Sequence, residues 1–386
     1  MDDSGHVTQD ARLLAELSDL SREFGGPRYV HGGGGNSSVK DGAVLWIKPS
    51  GRALAALEPG SFIGLDRAAL AGLHDDTISG ASGEREPEAR RLLIAAVLDD
   101  STGRPSVETP LHDAIPARFI VHTHPALVNG LTCAREGEAA CDELFPGAFW
   151  IPYVDPGLTL ARSVRTALAG RGTPSGREGI ILFLQNHGVF VAADEPDRIR
   201  SHYARIMDTL AEHYRLRGID PAPGGADSPR AAEGGAGIAA GPDPDDVPDS
   251  LPPEVHAAAR RLLAVWPGSE TPCLAIGAGE ETFGGPLTPD HIVYAGREPL
   301  TGEPTPEAIA AYRERFGYDP RVLTLAGVTC GTGDTPARAA LALELARDAA
   351  AVIRLSEAFG GIRYLADGES RFIESWEVEQ YRRRQL

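Results

Sequence analysis

The chain has 386 residues, long for one average domain and enough for two. Its formal net charge is −18, from 55 acidic and 37 basic side chains, which argues against non-specific binding to nucleic acid or to an anionic membrane surface. No apolar run approaches the roughly 18 residues of a membrane-spanning helix, and the N-terminus lacks a secretion-signal pattern.

From the N-terminus, Leu13, Leu14, Leu17, Leu20 and Phe24 recur at helical spacing. A glycine cluster, His31-Gly32-Gly33-Gly34-Gly35-Asn36-Ser37-Ser38, leads into strand-like Ser37 to Lys40, an Asp41-Gly42 turn and strand-like Val44 to Ile47. A second strand–turn–strand runs from Ile180 to Leu184, through Asn186-His187-Gly188, to Val189–Ala193. Ile199, Tyr203, Ile206 and Leu210 then continue a helical pattern. Hairpins with helices around them predict a mostly antiparallel sheet covered by helices. The acidic, proline- and glycine-rich stretch 219–253 reads as a flexible linker between an N-terminal domain, 1–218, and a smaller α/β unit, 254–386. In that unit Cys273 to Ile276, Ile292 to Ala295 and Val322 to Leu325 are strand-like, Pro306–Phe316 and Pro336–Phe359 helical, and Gly327 to Gly333 an ordinary turn. Cys133, Cys141, Cys273 and Cys330 are scattered without a CxxC pair, as expected of reduced thiols in a cytoplasmic protein.

His122-Thr123-His124 closes the apolar run Phe119-Ile120-Val121. Alternate residues of a strand share a face, so both imidazoles point the same way, as two ligands of one metal or as two half-buried strand histidines. His187 supplies either a third ligand, leaving the open position of a catalytic site, or an ordinary turn residue. Glu108, in Pro105-Ser106-Val107-Glu108, reads as a helix-start carboxylate, a general base beside a metal, or a displaceable fourth ligand. The glycine cluster fits neither a P-loop nor a dinucleotide fingerprint, yet its backbone N–H groups suit an anion-binding nest. The chain's two lysines, Lys40 and Lys48, both lie beside it.

Taken together and in this order, Gly-Asn-Ser-Ser, Pro-Ser-Gly, Pro-Ser-x-Glu, His-x-His-Pro and Asn-His-Gly resemble the class II aldolase/adducin family. Phe283 to His291 and Phe372 to Glu379 are similar to the segment after the aldolase domain in bifunctional rhamnulose-1-phosphate aldolase/alcohol dehydrogenases, whose dehydrogenase domain would follow. The resemblance implies an αβα sandwich, a zinc ion (or Fe2+, Mn2+ or Co2+) on His122, His124 and His187, and Glu108 as catalytic acid/base and neighbour of the metal. It also implies substrate phosphate on Gly35, Asn36, Ser50, Gly51 and Ser106, with Lys48 placed to add charge. The implied activity is aldol cleavage of a ketose 1-phosphate to dihydroxyacetone phosphate and an aldehyde, in a homotetramer whose partner is a small-molecule sugar phosphate. Epimerases, decarboxylases and a dehydratase share this metal site in the family, and adducin-like members are non-catalytic. Val107 departs from the second serine of the small aldolases, and no residue aligns with their proton-donating tyrosine.

Overall fold

The computed structural model describes residues 4–74, 78, 82–98, 101, 103–172, 175–222, 238–267, 271–277 and 283–375. Helix α1 (Ser4–Glu23) leads into strands β1 (Asn36–Asp41), β2 (Val44–Ile47) and β3 (Ile63–Asp66). Helices α2 (Arg67–His74), α3 (Ser82–Ala95) and α4 (Thr109–Ala114) precede β4 (Phe119–Thr123). Then come α5 (Ala126–Thr132), α6 (Gly137–Leu144), β5 (Phe149–Ile151) and α7 (Leu158–Gly170). The hairpin β6 (Ile180–Leu184) and β7 (Gly188–Ala193) and the long α8 (Pro196–Leu216) close this half. The second half holds β8 (Ile238–Ala240), α9 (Pro253–Ala264), β9 (Cys273–Ile276) and a π-helical turn, His291–Ala295. It continues with α10 (Pro306–Phe316), β10 (Val322–Leu325), β11 (Val328–Gly333), α11 (Pro336–Ser356) and α12 (Asp367–Ser375).

The first seven strands form one sheet in the order β3-β2-β1-β4-β7-β6-β5, antiparallel except between β5 and β6. Its centre is apolar on both faces, as a sheet covered on both sides requires. Phe119, Val121, Val189, Val191, Ile181 and Phe183 join a core with α1, α5 and α8. Their neighbours Ile120, Phe190, Ala192 and Leu182 face the other way, onto Leu111 of α4 and Leu160, Val164 and Leu168 of α7. The result is an αβα sandwich, with both expected hairpins and the helices at its two ends in place. A second sheet, β10-β11-β9-β8, is antiparallel and belongs to the C-terminal half. No helix among the described residues is long and apolar enough to cross a membrane.

Three expectations need correction. Ile292 to Ala295 is the π-helical turn rather than a strand; a short, wholly buried apolar run has no period that separates the two. The stretch Gly327 to Gly333 is mostly strand β11: Gly327 keeps the turn, at φ 78°, while Gly331 and Gly333 serve close packing. A Cβ on Gly331 would fall 2.6 Å from the Leu343 nitrogen of α11, which lies across the strand. The expected linker also ends early: Ile238–Ala240 pairs with β9, while Ala240, Val247 and Leu251 enter a core with α9. Residues 223–237 of that stretch lie outside the described residues.

The two halves share a core. Phe283, Leu287, Ile292 and Val293, together with Leu345, Val352 and Leu355 of α11, lie in one buried cluster with α1, α5, α8 and the large sheet.

Candidate metal centre

His122 is the penultimate residue of β4, on the face that carries Ile120, and its ring stacks on Phe190 of β7 at 3.8 Å between centroids. His124 follows the strand end, and His187 sits in the turn Gln185–His187 that joins β6 to β7. Asn186 holds that turn in a left-handed conformation, φ 52°, which asparagine tolerates better than most residues. The sheet register brings these parts together: His122 pairs with Phe190 on one side and with Asn36 of β1 on the other. Directly before Asn36, Gly35 has φ 64°, and a Cβ there would lie 2.8 Å from the His122 carbonyl oxygen. Only glycine lets the loop pass so close to the histidine strand.

The three Nε2 atoms converge. That of His122 lies 2.9 Å from that of His124 and 3.3 Å from that of His187. These contacts cannot all be hydrogen bonds. His122 donates its Nδ1 proton to the Val189 carbonyl at 3.0 Å, and His124 donates its own to the Asp290 carboxylate at 2.5 Å. In neutral rings the facing Nε2 atoms are then bare lone pairs. Burial pulls His187 down to about 3 and lowers His124 as well, so both stay neutral. Crowded, inward-facing, neutral imidazole nitrogens fit a divalent cation, and these three residues form a buried group able to hold one.

Glu108 occupies the N-cap position of α4, but its side chain makes no capping bond. Instead Oε1 lies 3.4 Å from His122 Nε2 and 3.5 Å from His187 Nε2, while Oε2 accepts from Asn36 Nδ2. Burial pushes this carboxyl up, whereas positive charge at the histidine cluster, His122 first, holds it well below the usual carboxylate range; with the rings neutral, a bound cation would supply that charge. The other end of α4 is fixed by Lys40, whose buried ammonium donates to the carbonyls of His112 and Ile115. Lys40 therefore braces the helix behind Glu108 and stays out of the pocket.

One pocket beside the histidines is lined by Gly33, Gly35, Asn36, Lys48, Ser50, Gly51 and Ser106, together with Glu108, His124 and His187. Lys48 is buried and donates to the carbonyls of Gly33 (3.1 Å) and Arg52 (2.7 Å), tying the glycine loop to the Ser50-Gly51 turn. That turn is pinned in its own right: Ser50 N donates to the Arg104 carbonyl at 2.8 Å, and Pro49 bridges Pro105. Every residue expected to bind metal or substrate thus reaches one place. Val107, Pro156 and Pro289 complete the lining.

Sequence reasoning missed Asp290, the partner of His124, and the support of the His187 turn. Asn186 Nδ2 donates to the carbonyls of Leu287 and Arg363, both at 2.9 Å, and Arg363 donates back to Asn186 Oδ1 at 3.0 Å. The available signal was Thr288-Pro289-Asp290-His291, a polar cluster inside an apolar stretch.

The family model described as class II aldolase and adducin N-terminal domain matches residues 15–214, more than half of the chain. A Bacillus subtilis (strain 168) protein named uncharacterized oxidoreductase YuxG is 26% identical, the match covering 98% of this chain and 59% of that protein. The chain therefore spans about three fifths of that curated relative. Among solved structures, the N-terminal class II aldolase domain of a conserved Thermoplasma acidophilum protein is 27% identical with a TM-score of 0.44, covering 51% of this chain and 91% of that one. The L-fuculose-1-phosphate aldolase from Thermus thermophilus is 20% identical with a TM-score of 0.35, covering 54% and 98%. With the matched region spanning α1 to α8, the chain belongs to the class II aldolase and adducin family.

Proposed function

We propose that this protein is a metal-dependent lyase that cleaves a ketose 1-phosphate reversibly to dihydroxyacetone phosphate and an aldehyde. The observation that carries the reading is the approach of Glu108 Oε1 to the same point on which the three imidazoles converge, beside a pocket with polar loops. His122, His124 and His187 would hold a divalent ion, zinc by family resemblance, with iron, manganese and cobalt as substitutes. Such an ion supplies Lewis acidity toward the substrate's carbonyl and hydroxyl oxygens.

The chain's own groups do the rest. Glu108 moves the proton to and from the carbon beside the carbonyl, with Asn36 fixing one carboxylate oxygen so that the other faces the reacting centre. The backbone N–H groups around Gly35 and Gly51, with the hydroxyls of Ser50 and Ser106, bind the substrate phosphate. Lys48 fastens the two loops that form this cradle and adds a positive charge at its base. Anchoring a remote phosphate holds the reacting carbon in place and lowers the entropic part of the barrier. Assembly as a homo-oligomer belongs to the same reading.

The test is direct. Purified protein loaded with each divalent metal is offered a panel of ketose 1-phosphates, and dihydroxyacetone phosphate is measured with a coupled reductase. Release of an aldehyde and dihydroxyacetone phosphate in equal amounts supports the proposal. Loss of water or carbon dioxide from the substrate instead would assign the dehydratase or decarboxylase chemistry that the same metal and Glu108 also suit. A metal-loaded protein that turns over none of these substrates would favour an adducin-like interaction role.

A further inference from the structure

The C-terminal half places a carboxylate on one of the three converging imidazoles. Asp290, 3% exposed, accepts the Nδ1 proton of His124 at 2.5 Å, from 166 residues further along the chain. An imidazole that gives its Nδ1 proton to a carboxylate is fixed in the tautomer whose Nε2 lone pair is bare, and its ring is held in one orientation. A carboxylate on Nδ1 also makes Nε2 a stronger donor. Neither β4 nor the His-x-His spacing supplies this, because His124 lies beyond the strand end, where no ladder fixes its side chain.

Asp290 is itself held on several sides. The next residue, His291, receives the Thr288 hydroxyl at Nδ1 (2.8 Å), and its Nε2 lies 3.2 Å from the buried carboxylate of Asp348 on α11. The other oxygen of Asp348 lies 3.4 Å from His31 Nε2, at the start of the glycine loop. Gly34 of that loop sits directly against Asp290. A Cβ there would overlap the carboxylate oxygen that His124 uses and would lie 3.0 Å from the His31 carbonyl. The glycine loop and the segment 288–291 are therefore seated face to face, with the carboxylate between them and the metal ligand.

We infer that Asp290 is a positioning residue for the metal centre: it orients and charges His124, and through it the C-terminal half sets the affinity of the three-histidine site. The inference rests on the metal reading of that site, and its test separates the two.

Full-length wild type, Asp290→Asn and Gly34→Ala are stripped of metal and titrated with Zn2+ and Co2+ against a competing chelator, with the visible Co2+ bands recorded. Wild type is expected to bind about one ion per chain. Asp290→Asn, nearly isosteric but uncharged, is expected to bind about 10- to 100-fold more weakly, with shifted Co2+ bands and a metal-free unfolding midpoint close to wild type. Gly34→Ala retains the carboxylate but displaces it, so it should move affinity and spectrum in the same direction. This second variant carries the test should Asp290→Asn fail to fold. Wild-type affinity and unchanged Co2+ bands in a folded variant of either kind would overturn the role of Asp290 while leaving the metal site standing. A wild type that binds neither ion would overturn the metal reading, and this inference with it.

Discussion

Replacing Gly188 by alanine adds one methyl group where β7 passes closest to the end of β4. Its Cβ would lie 2.7 Å from His124 Cδ2 and closer still to the Thr123 carbonyl oxygen. Ordinary contact begins near 3.4 Å, so the imidazole must move by about 0.7 Å and the Thr123 carbonyl by about 1 Å. Metal–ligand distances tolerate deviations of only about 0.2 Å. The displacement therefore exceeds what a bound cation absorbs. Forced overpacking of this kind costs about 1–3 kcal/mol.

The control is Gly170→Ala at the end of α7, where the same methyl group points into open space. Exchanging glycine for alanine in a helix stabilises by up to about 1 kcal/mol, so the two substitutions are expected to carry opposite signs. Urea unfolding of the metal-free proteins should place Gly188→Ala below wild type and Gly170→Ala at or above it. Chelator competition should show at least about a tenfold loss of metal affinity for Gly188→Ala alone. A Gly188→Ala protein with the wild-type midpoint and affinity would refute the argument that the close passage of β7 places His124.

Further expected outcomes concern other parts of the molecule. Glu108→Gln leaves three imidazoles for the metal but cannot accept a proton, so turnover should fall about 100- to 10,000-fold at near-normal metal content. Ser50→Asp should raise the Michaelis constant for a phosphorylated ketose far more than Ser50→Ala does, and equal effects of the two would move the phosphate site elsewhere. Burial lowers His31, but the carboxylates of Asp348 and Glu344 outweigh it and raise it to about 10, while His291 and His31 hold Asp348 well below its ordinary value against its burial. The stability advantage of wild type over Asp348→Asn should accordingly be full between about pH 4 and 6.5, shrink as pH rises toward 10, and shrink again on acidification; a constant difference from pH 3 to 10 would contradict this. A fragment ending at residue 218 loses the apolar cover from Phe283, Leu287, Val352 and Leu355, each worth about 1.5–3 kcal/mol. It should bind a hydrophobic dye and fail to retain metal, whereas a well-folded, metal-binding fragment would mean that the shared core is dispensable.

Much of this site was readable from residue spacing because it depends on local geometry. His122 and His124 were placed at the end of a strand by the apolar run before them, and His187 was placed in a turn by the strands on either side. The approach of Asn36 to His122 follows from the hairpin and the antiparallel register. Local signals failed where burial on all sides removes periodicity, as at His291–Ala295, and where glycine serves helix packing rather than a turn, as at Gly331. They failed again at the linker boundary, since the short edge strand Ile238–Ala240 is held by pairing with β9 rather than by its own composition. The bond from His124 to Asp290 was out of reach for a different reason: no periodicity relates two residues 166 positions apart.

The three imidazoles are oriented by different means, and this distinguishes what the two halves of the chain contribute. His122 is aimed by the Val189 carbonyl of the neighbouring strand, an arrangement that the large sheet generates unaided. His124 is aimed by Asp290, and the turn of His187 is clasped through Asn186 by the Leu287 and Arg363 carbonyls. Two of the three imidazoles thus depend on residues beyond the matched family region, which ends at 214. Those residues are carried by segments whose apolar side chains, Leu287, Ile292 and Leu365, sit in the core of the first half. Burial there holds them against the first half, which a separately folded domain on a flexible tether would not do. The second half is therefore best understood as part of the wall of the pocket, with Pro289 lining it and Asp290 behind His124.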